Sequence, residues 1–165
     1  MSEARISIRL QTSDFGLRSS GFKKIHNQIV MQKIITISTD KQNGLYDITS
    51  EVVSLIKESK VKTGIASVYA RGSTAAIMIQ ENWDQSVQND VVSLLRKLIP
   101  PGIWEHDHQD NNGDAHLKAG LVGASETIPV IDYNAGLSTW QNIFFCEFDG
   151  PREKREIVVT ILEDR

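Results

Sequence analysis

Apolar and polar residues alternate along several short segments of the chain, which predicts strands. Residues 5–10 alternate with a period of two, as expected for a half-buried strand. Residues 28–38 are rich in Ile and Val, and further strands are predicted at residues 61–69, 75–79, 128–131, 142–148 and 156–162. Residues 14–26 show little periodicity and are predicted to form a loop. Because the connections between strands are short, antiparallel pairing is favoured.

Two other segments have the apolar spacing of amphipathic helices. The stripe of the first consists of Ile48, Val52, Leu55 and Ile56. Asp47 or Thr49 can cap its start, because a short side-chain oxygen satisfies a free N–H of the first turn. The stripe of the second helix consists of Val87, Val91, Leu94, Leu95, Leu98 and Ile99, with Asp84 as its cap and Pro100 after its end. We expect each helix to pack one face on a sheet.

Strands outnumber helices in this pattern. It predicts the α+β class, with an antiparallel-rich β-sheet system covered by two main amphipathic helices. Neither an internal repeat nor a long linker divides the 165 residues, so we expect a single domain over residues 1–165.

Composition and charge narrow the setting in which the protein acts. The chain has 18 Lys and Arg against 21 Asp and Glu, a net charge of −3, which argues against broad electrostatic binding of nucleic acid. The single cysteine, Cys146, cannot form an internal disulfide and lies in an apolar run. We therefore expect a buried thiol and a reducing, cytoplasmic location. No apolar run approaches the ~18 residues of a spanning helix, and the first residues form no signal core, so we expect neither membrane insertion nor secretion.

A polar segment at residues 104–116 holds three of the four histidines of the chain, among several Asp and Asn. His106 and His108 would point the same way if this piece were extended. Imidazole nitrogens bind zinc, and carboxylates complete or orient such sites. The same composition is typical of a solvated polar loop whose histidines bind nothing. Spacing alone leaves both interpretations open.

A predicted turn at Gly72, Ser73 and Thr74 offers backbone N–H groups and hydroxyls that suit an anionic oxygen. Glu81 lies where the next strand passes to the second helix, and neither a cap nor an apolar face requires it there. These residues are candidates for binding an anionic substrate.

The sequence at residues 149–151, Asp-Gly-Pro, is typical of a tight turn, since Gly permits positive φ and Pro fixes the next φ. It predicts a β-hairpin. Arg152 and Arg155 follow the turn, and a guanidinium can hold phosphate bidentately. A hairpin with basic residues beside it and no ligand is the alternative.

Together these segments resemble the YjbQ family of small proteins, with the motifs in the family's order over residues 48–162. The first motif is matched by Ser73, Thr74, Ala75, Glu81, Asn82 and Asp84. The histidine-containing motif is matched by His106, Asp110, Asn112, Ala115, His116 and Leu117. The two later motifs are matched by Thr139, Trp140, Gln141, Glu147, Asp149, Gly150, Pro151 and Arg152.

The resemblance implies an α+β fold assembled as a homotrimer, with a polar site that contains histidine. It also implies the activity assigned to some members, secondary thiamine-phosphate synthase. This transferase joins a pyrimidine-methyl diphosphate to a thiazole phosphate and releases pyrophosphate. The expected ligand is thus a small phosphorylated molecule, and the expected cofactor is a divalent metal ion, zinc or magnesium. The chain departs from the family pattern at Gly72, where a histidine is usual, and at Ser138, where a glycine is usual.

The resemblance assigns roles to particular residues. The catalytic candidates are His106, Asp110, His116 and Glu81. The substrate-binding candidates are Ser73, Thr74, Asn82, Asn112, Trp140, Gln141 and Arg152. A metal would bind His106 and His116, with His108 as a further candidate. Two alternatives stand beside the transferase: a metal-assisted hydrolase of a small phosphorylated molecule and, because of Gly72, a non-enzymatic trimeric ligand-binding protein.

Overall fold

The computed structural model describes residues 6–10 and 30–164, so the loop predicted at residues 14–26 lies outside the described residues. In chain order the elements are β1 (Ile6–Leu10), β2 (Val30–Thr39), β3 (Gly44–Asp47), α1 (Thr49–Ser59), β4 (Thr63–Arg71), β5 (Ala75–Glu81), α2 (Gln85–Leu98), α3 (Asp107–Asp110), α4 (Gly113–Val122), β6 (Ser125–Ile131), β7 (Asn134–Ala135), β8 (Gln141–Glu147) and β9 (Arg152–Glu163). Every strand that the hydrophobic pattern predicts is present, and β3 and β7 are additional.

The described strands form two antiparallel sheets. The larger sheet has the order β1-β2-β9-β4-β6-β7, and the smaller has the order β3-β8-β5. Neighbouring strands run antiparallel throughout both. The α+β class with antiparallel sheets is therefore confirmed.

The main core lies between the larger sheet, α1 and one face of the smaller sheet. Ile35 in β2 is opposite Ile157 in β9, and both side chains are buried. The helix α1 buries Val52, Leu55 and Ile56 in the same cluster. Full burial of one such aliphatic side chain stabilises a fold by about 1.5–3 kcal/mol. The predicted stripe of α1 thus explains where this helix packs.

The helix α2 begins and ends where the sequence predicts, but it is less buried than expected. Asp84 Oδ1 accepts a hydrogen bond from Ser86 N–H at 2.7 Å, which confirms the cap. Of the apolar stripe only Leu95 is buried, whereas Leu94 and Leu98 are 55% and 59% exposed. The expectation that α2 packs its apolar face on a sheet is confirmed in part: Leu95 and Val91 pack against Phe144 and Cys146 of the smaller sheet, whereas Leu94 and Leu98 remain exposed.

Two further helices lie in the polar segment, so the expectation of two main helices is incomplete. The buried residues of α4 are Gly113, Asp114, Ala115, Lys118 and Ala119, with no large apolar residue among them. Lys118 Nζ lies 2.6 Å from Asp114 Oδ2, and both side chains are buried. The pattern of large apolar residues misses α4 because this helix buries small residues and an ion pair. None of the helices in the described residues is long and apolar enough to cross a membrane.

Three of the connections that pass between the sheets meet at one corner: β2 to β3, β4 to β5, and β8 to β9. Glu147 lies opposite both Gly44 and Ala75, and Arg152 lies opposite Thr39. We call this region the crossover corner. The predicted hairpin at residues 149–151 is wrong, since β8 pairs with β3 and β5 whereas β9 pairs with β2 and β4. Turn residues specify a chain reversal and not the partner of the next strand.

Candidate functional site

A buried carboxylate, Glu147, holds the crossover corner together. The Glu147 side chain is 0% exposed and that of Arg155 is 12% exposed. Arg155 Nε donates to Glu147 Oε2 at 2.7 Å, and Thr39 Oγ1 donates to the same oxygen at 3.0 Å. The other oxygen, Oε1, accepts from the Asp149 N–H at 2.9 Å. One charged group therefore ties the ends of β2 and β8 to β9.

The turn before β5 is fixed to the same group. Arg155 Nη2 donates to Thr74 Oγ1 at 3.0 Å, and the Phe148 N–H donates to the Thr74 carbonyl at 3.1 Å. Thr74 is buried, whereas Ser73 is exposed. A Cβ at Gly72 would lie 3.3 Å from Arg155 Nη1, closer than an ordinary contact. The missing side chain at Gly72 therefore leaves room for the guanidinium that fixes this turn.

Arg152 and Asn112 meet at Asp149. The Arg152 guanidinium pairs with Asp149 Oδ2, and Asn112 Nδ2 donates to the same oxygen at 3.2 Å. Asn112 directly precedes α4, so this contact joins α4 to the crossover corner. Asn112 Oδ1 is buried and has no hydrogen-bond partner among the described residues. Because buried polar atoms are nearly always paired, this oxygen can accept a donor from a ligand or from water.

The rings of His106 and His116 are in contact beside this amide. Their centroids are 4.9 Å apart and their planes are at 89°. The His116 N–H donates to the Asn112 carbonyl at 3.3 Å, which places His116 one turn after Asn112. His106 Nε2 lies 3.9 Å from Asp110 Oδ2. Four of the candidates from the sequence are thus neighbours, and Asn112 connects them to Arg152 through Asp149.

His108 takes no part in this histidine pair. The segment is helical at α3, where successive residues are turned by about 100°, so His106 and His108 do not share a face. The expectation of a shared direction is wrong because it assumed an extended segment. His108 lines a separate cavity of about 490 Å³ with Trp104, Glu105 and Asn111.

Another carboxylate of the segment, Asp107, is engaged in local structure. It accepts the Trp104 N–H at 2.9 Å and the Gly113 N–H at 2.8 Å, and thereby fixes the entry to α4. The hydrogen bond from the Trp104 N–H is the main cause that holds the pKa of Asp107 below its usual range. We regard Asp107 as a structural residue.

A divalent metal ion does not fit the residues of one chain. Across residues 6–10 and 30–164 no three His, Cys, Asp or Glu side chains are grouped so that they could hold a metal ion. His106 and His116 supply two imidazoles, fewer than the three or four protein ligands usual for zinc. Any further ligands would have to come from outside these residues.

The other candidates lie at the opposite end of the smaller sheet. Glu81 pairs with Gln141, whereas Ala75 pairs with Glu147 at the crossover corner. Six residues of a strand span about 20 Å at the usual rise per residue. Trp140 contacts Trp83 edge to face, with centroids 4.5 Å apart. We call this region, with Glu81, Asn82, Trp83, Trp140 and Gln141, the tryptophan end.

Asp47 organises the tryptophan end. Its Oδ2 accepts from Asn82 Nδ2 at 2.8 Å and from Asn142 Nδ2 at 2.7 Å. Its Oδ1 accepts from the Thr49 N–H at 2.9 Å, which agrees with the capping role predicted from sequence, although the residue directly before α1 is Ile48. The exposed Glu81 carboxylate lies beside this network, at the end of β5.

Sequence reasoning missed three of these organising groups. It treated Asp47 only as a cap and gave no role to Asn142. It also gave Glu147 no role of its own, although a signal was present, because Glu147 is the one charged residue in the apolar run 143–148. A carboxylate in such a run requires a buried partner. The sequence does not reveal that this partner is Arg155.

The fold and the site define a class: α+β proteins with two antiparallel sheets and a polar corner that contains histidine. The sequence profile of the UPF0047 protein YjbQ-like family matches residues 33–164. A UPF0047 protein of Methanocaldococcus jannaschii is 50% identical over 129 residues, which cover 78% of this chain and 92% of that protein. The UPF0047 protein YugU of Bacillus subtilis is 39% identical over 127 residues, which cover 75% of this chain and 94% of YugU.

Solved structures agree with these matches. The crystal structure of a YbjQ-like protein of unknown function from Sulfolobus solfataricus superposes with a TM-score of 0.81 at 35% identity. The match covers 84% of this chain and 100% of that one. The chain belongs to the YjbQ-like UPF0047 family, which confirms the resemblance seen in the sequence.

Proposed function

We propose that this protein is a transferase of the secondary thiamine-phosphate synthase type, acting in the cytoplasm. In the reaction the C–O bond between the pyrimidine methylene and its diphosphate breaks, and pyrophosphate leaves with the electron pair. A C–N bond forms from the thiazole nitrogen to the methylene carbon. Since this nitrogen carries no proton, the main requirement is to stabilise charge on the leaving pyrophosphate.

The observation that carries the proposal is the unpartnered, buried oxygen of Asn112. The amide of Asn112 shares Asp149 with Arg152, and its oxygen lacks a donor that an N–H of a heterocyclic substrate would supply. The exposed Arg152 guanidinium can contact the diphosphate. The Ser73 hydroxyl is exposed at the turn that Thr74 anchors.

The histidine pair would act on the leaving group. His116 would donate a proton or a hydrogen bond to pyrophosphate, with the ring of His106 against it. Asp110, beside His106, would orient that imidazole. These roles require only residues of the described chain.

A homotrimer is part of the proposal. Glu81, Asn82, Trp140 and Gln141 lie about 20 Å along the sheet from Ser73, Thr74 and Arg152, so the two groups can share one substrate only if different copies contribute them. The exposed Leu94 and Leu98 of α2 are available for contact between copies. Light scattering should give three times the chain mass of 18.5 kDa. A monomer in solution would overturn this part of the proposal.

A divalent metal ion, zinc or magnesium, remains a separate proposal. His106 and His116 would supply two of its ligands, and the rest would come from water, substrate or another subunit. The measurement is the metal content of purified protein and of the His106→Ala/His116→Ala variant. Equal metal content in both would remove the two histidines as ligands.

The test of the transferase is product formation from both precursors. We expect His116→Ala to slow the reaction by about 10²–10⁴-fold, the usual contribution of a general acid. His108→Ala is the matched control, since it removes the same side chain at a position outside the histidine pair. Equal product from the wild type and His116→Ala would sink the assignment.

The same assay separates the alternatives. Release of phosphate or pyrophosphate from one precursor without an acceptor would favour the hydrolase. The non-enzymatic alternative is favoured by one observation: Gly72 makes room for Arg155 where the family usually has a histidine. It predicts binding of the precursors with no product from the wild type.

A further inference from the structure

A groove of about 440 Å³ lies between α2 and the start of β3, and it borders the crossover corner at Gly44. One wall is the polar face of α2, with Gln85, Gln88, Asn89 and Ser93, and the other begins at Lys41 and Asn43. We call it the α2 groove. Its volume is within the range of small-molecule sites, about 300–1,000 Å³.

The charges of the α2 groove are all of one sign. Among the residues that the structure describes, Lys41, Arg96 and Lys97 line it, and no carboxylate does. All three are exposed, and none has an ion-pair partner within the described part of the chain. The whole protein has a net charge of −3, so this local positive charge runs against the overall sign. A concave surface lined by one sign of charge concentrates oppositely charged ligands.

A buried lysine orients one hydrogen-bond donor of the groove. Lys118 is almost completely buried, and its Nζ donates to Asn43 Oδ1 at 3.1 Å and to Asp114 Oδ2 at 2.6 Å. Because an ammonium group only donates, the oxygen of Asn43 must face Lys118. The NH₂ group of Asn43 therefore remains available to donate to a ligand.

The α2 wall is also ordered by hydrogen bonds. Gln88 Nε2 donates to Asn82 Oδ1 at 2.7 Å, and Gln88 Oε1 accepts from Gln85 Nε2 at 3.0 Å. Leu45 and Val92 add half-buried apolar surface to the lining. Cations, amide donors and an apolar patch together suit a ligand with an anionic head and a carbon body.

We propose that the α2 groove binds a small organic molecule that carries a phosphate group. The inference does not rest on the transferase, because it concerns equilibrium binding at residues to which no step of that reaction is assigned. Arg96 and Lys97 would hold the phosphate, with Lys41 on the facing wall. Asn43 would donate a further hydrogen bond.

The experiment is a titration with phenyl phosphate followed by phosphorus NMR, with inorganic phosphate in parallel. It uses the full chain with Arg152→Gln as the background, so that the crossover corner contributes no phosphate contact. Arg96→Gln/Lys97→Gln removes two charges from the groove. Lys57→Gln/Lys62→Gln is the matched control, because these lysines are exposed on other surfaces. Circular dichroism checks that both variants are folded.

We expect the groove variant to weaken phenyl phosphate binding about tenfold or more, as loss of hydrogen bonds to a charged group implies. The control should change it by less than about twofold, since exposed charges interact weakly. Inorganic phosphate should bind more weakly than phenyl phosphate, because it has no apolar body.

Three results would overturn the inference: no binding at millimolar phenyl phosphate, equal weakening by the groove and control variants, or equal affinity for the two probes. The Arg152→Gln background distinguishes the groove proposal from the transferase proposal. Phenyl phosphate that binds the wild type and is lost with Arg152→Gln alone would occupy the crossover corner, which refutes the groove site and leaves the transferase standing. If no product forms from the thiamine precursors while phenyl phosphate still binds the groove, the transferase is refuted and the groove site stands.

Discussion

Replacing Glu147 by glutamine removes the charge at the centre of the crossover corner while keeping the side-chain shape. The Glu147→Gln variant retains the length of the side chain, its planar end and one of its two acceptor oxygens. What it loses is the counter-charge of Arg155, whose side chain is only 12% exposed. The variant therefore tests the ion pair with little change in packing.

The expected loss of stability follows from burial. Removing one partner of a buried ion pair leaves an uncompensated charge and costs about 3–5 kcal/mol. A domain is typically stable by only about 5–15 kcal/mol, so Glu147→Gln should lower the urea midpoint strongly. The matched control is Arg71→Gln, which breaks the pair with Glu156 at a side chain that is 53% exposed. It should cost less than about 1 kcal/mol.

The assay is urea unfolding followed by tryptophan fluorescence, at one fixed protein concentration because assembly adds to apparent stability. A double variant, Glu147→Gln/Arg155→Met, should lose less than the sum of the two single changes, since the two side chains interact. The reasoning is refuted if Glu147→Gln costs no more than Arg71→Gln. Strict additivity in the double variant would equally count against a direct pair.

Three further predictions concern single groups. Burial raises the pKa of the Cys146 thiol to about 12 from 9.0, so a disulfide reagent at pH 8 should label only denatured protein. Labelling of the native protein at pH 8 would contradict the burial of this thiol. Between pH 9 and pH 12 the unfolded thiol loses its proton and the folded thiol keeps it, so the contribution of Cys146 to stability is present below pH 9 and is lost towards pH 12. The hydrogen bond from the Ser86 hydroxyl lowers the pKa of Asp84. The charged cap therefore stabilises α2 fully at a pH above the usual carboxylate pKa, and this stabilisation is lost as the pH falls through the lowered pKa. Asp84→Ala should reduce the melting temperature at pH 7 by more than Asp84→Asn, which keeps the acceptor oxygen and loses only the charge. An unchanged melting temperature for Asp84→Ala would refute the cap. Lys118→Met leaves the buried Asp114 unpaired and should cost about 3–5 kcal/mol in urea unfolding, most of it recovered by adding Asp114→Leu; an unchanged midpoint would contradict the pair.

The candidate site could be predicted from the sequence only in part. The motif order identified the family, and the contact of His106 with His116 agrees with their joint assignment to one site. Their distance from His108 could not be predicted, because α3 was not recognised as helical. Nor could the pairing of Glu81 with Gln141, which depends on the register of β5 against β8. Register is a long-range property, whereas motifs are local.

The parts of the fold that were predicted correctly depend on local sequence patterns. The stripe of α1, the cap at Asp84 and the alternation of β2 each depend on neighbours within a few positions of the chain. The helix α4 escaped such reasoning because Ala115, Ala119 and the pair of Lys118 with Asp114 bury no stripe of large apolar residues. Its helical state depends on packing against the sheet as much as on its own sequence.

The sequence by itself determined the family, the antiparallel α+β class, most element positions and the identity of the polar residues. Only the tertiary structure decided which strands share a sheet, that residues 149–151 cross between sheets, and that Glu147 and Arg155 pair beneath the site. The physical reason is that periodicity and turn chemistry act over a few residues. Strand pairing and the burial of a charge depend on groups brought together from distant parts of the chain.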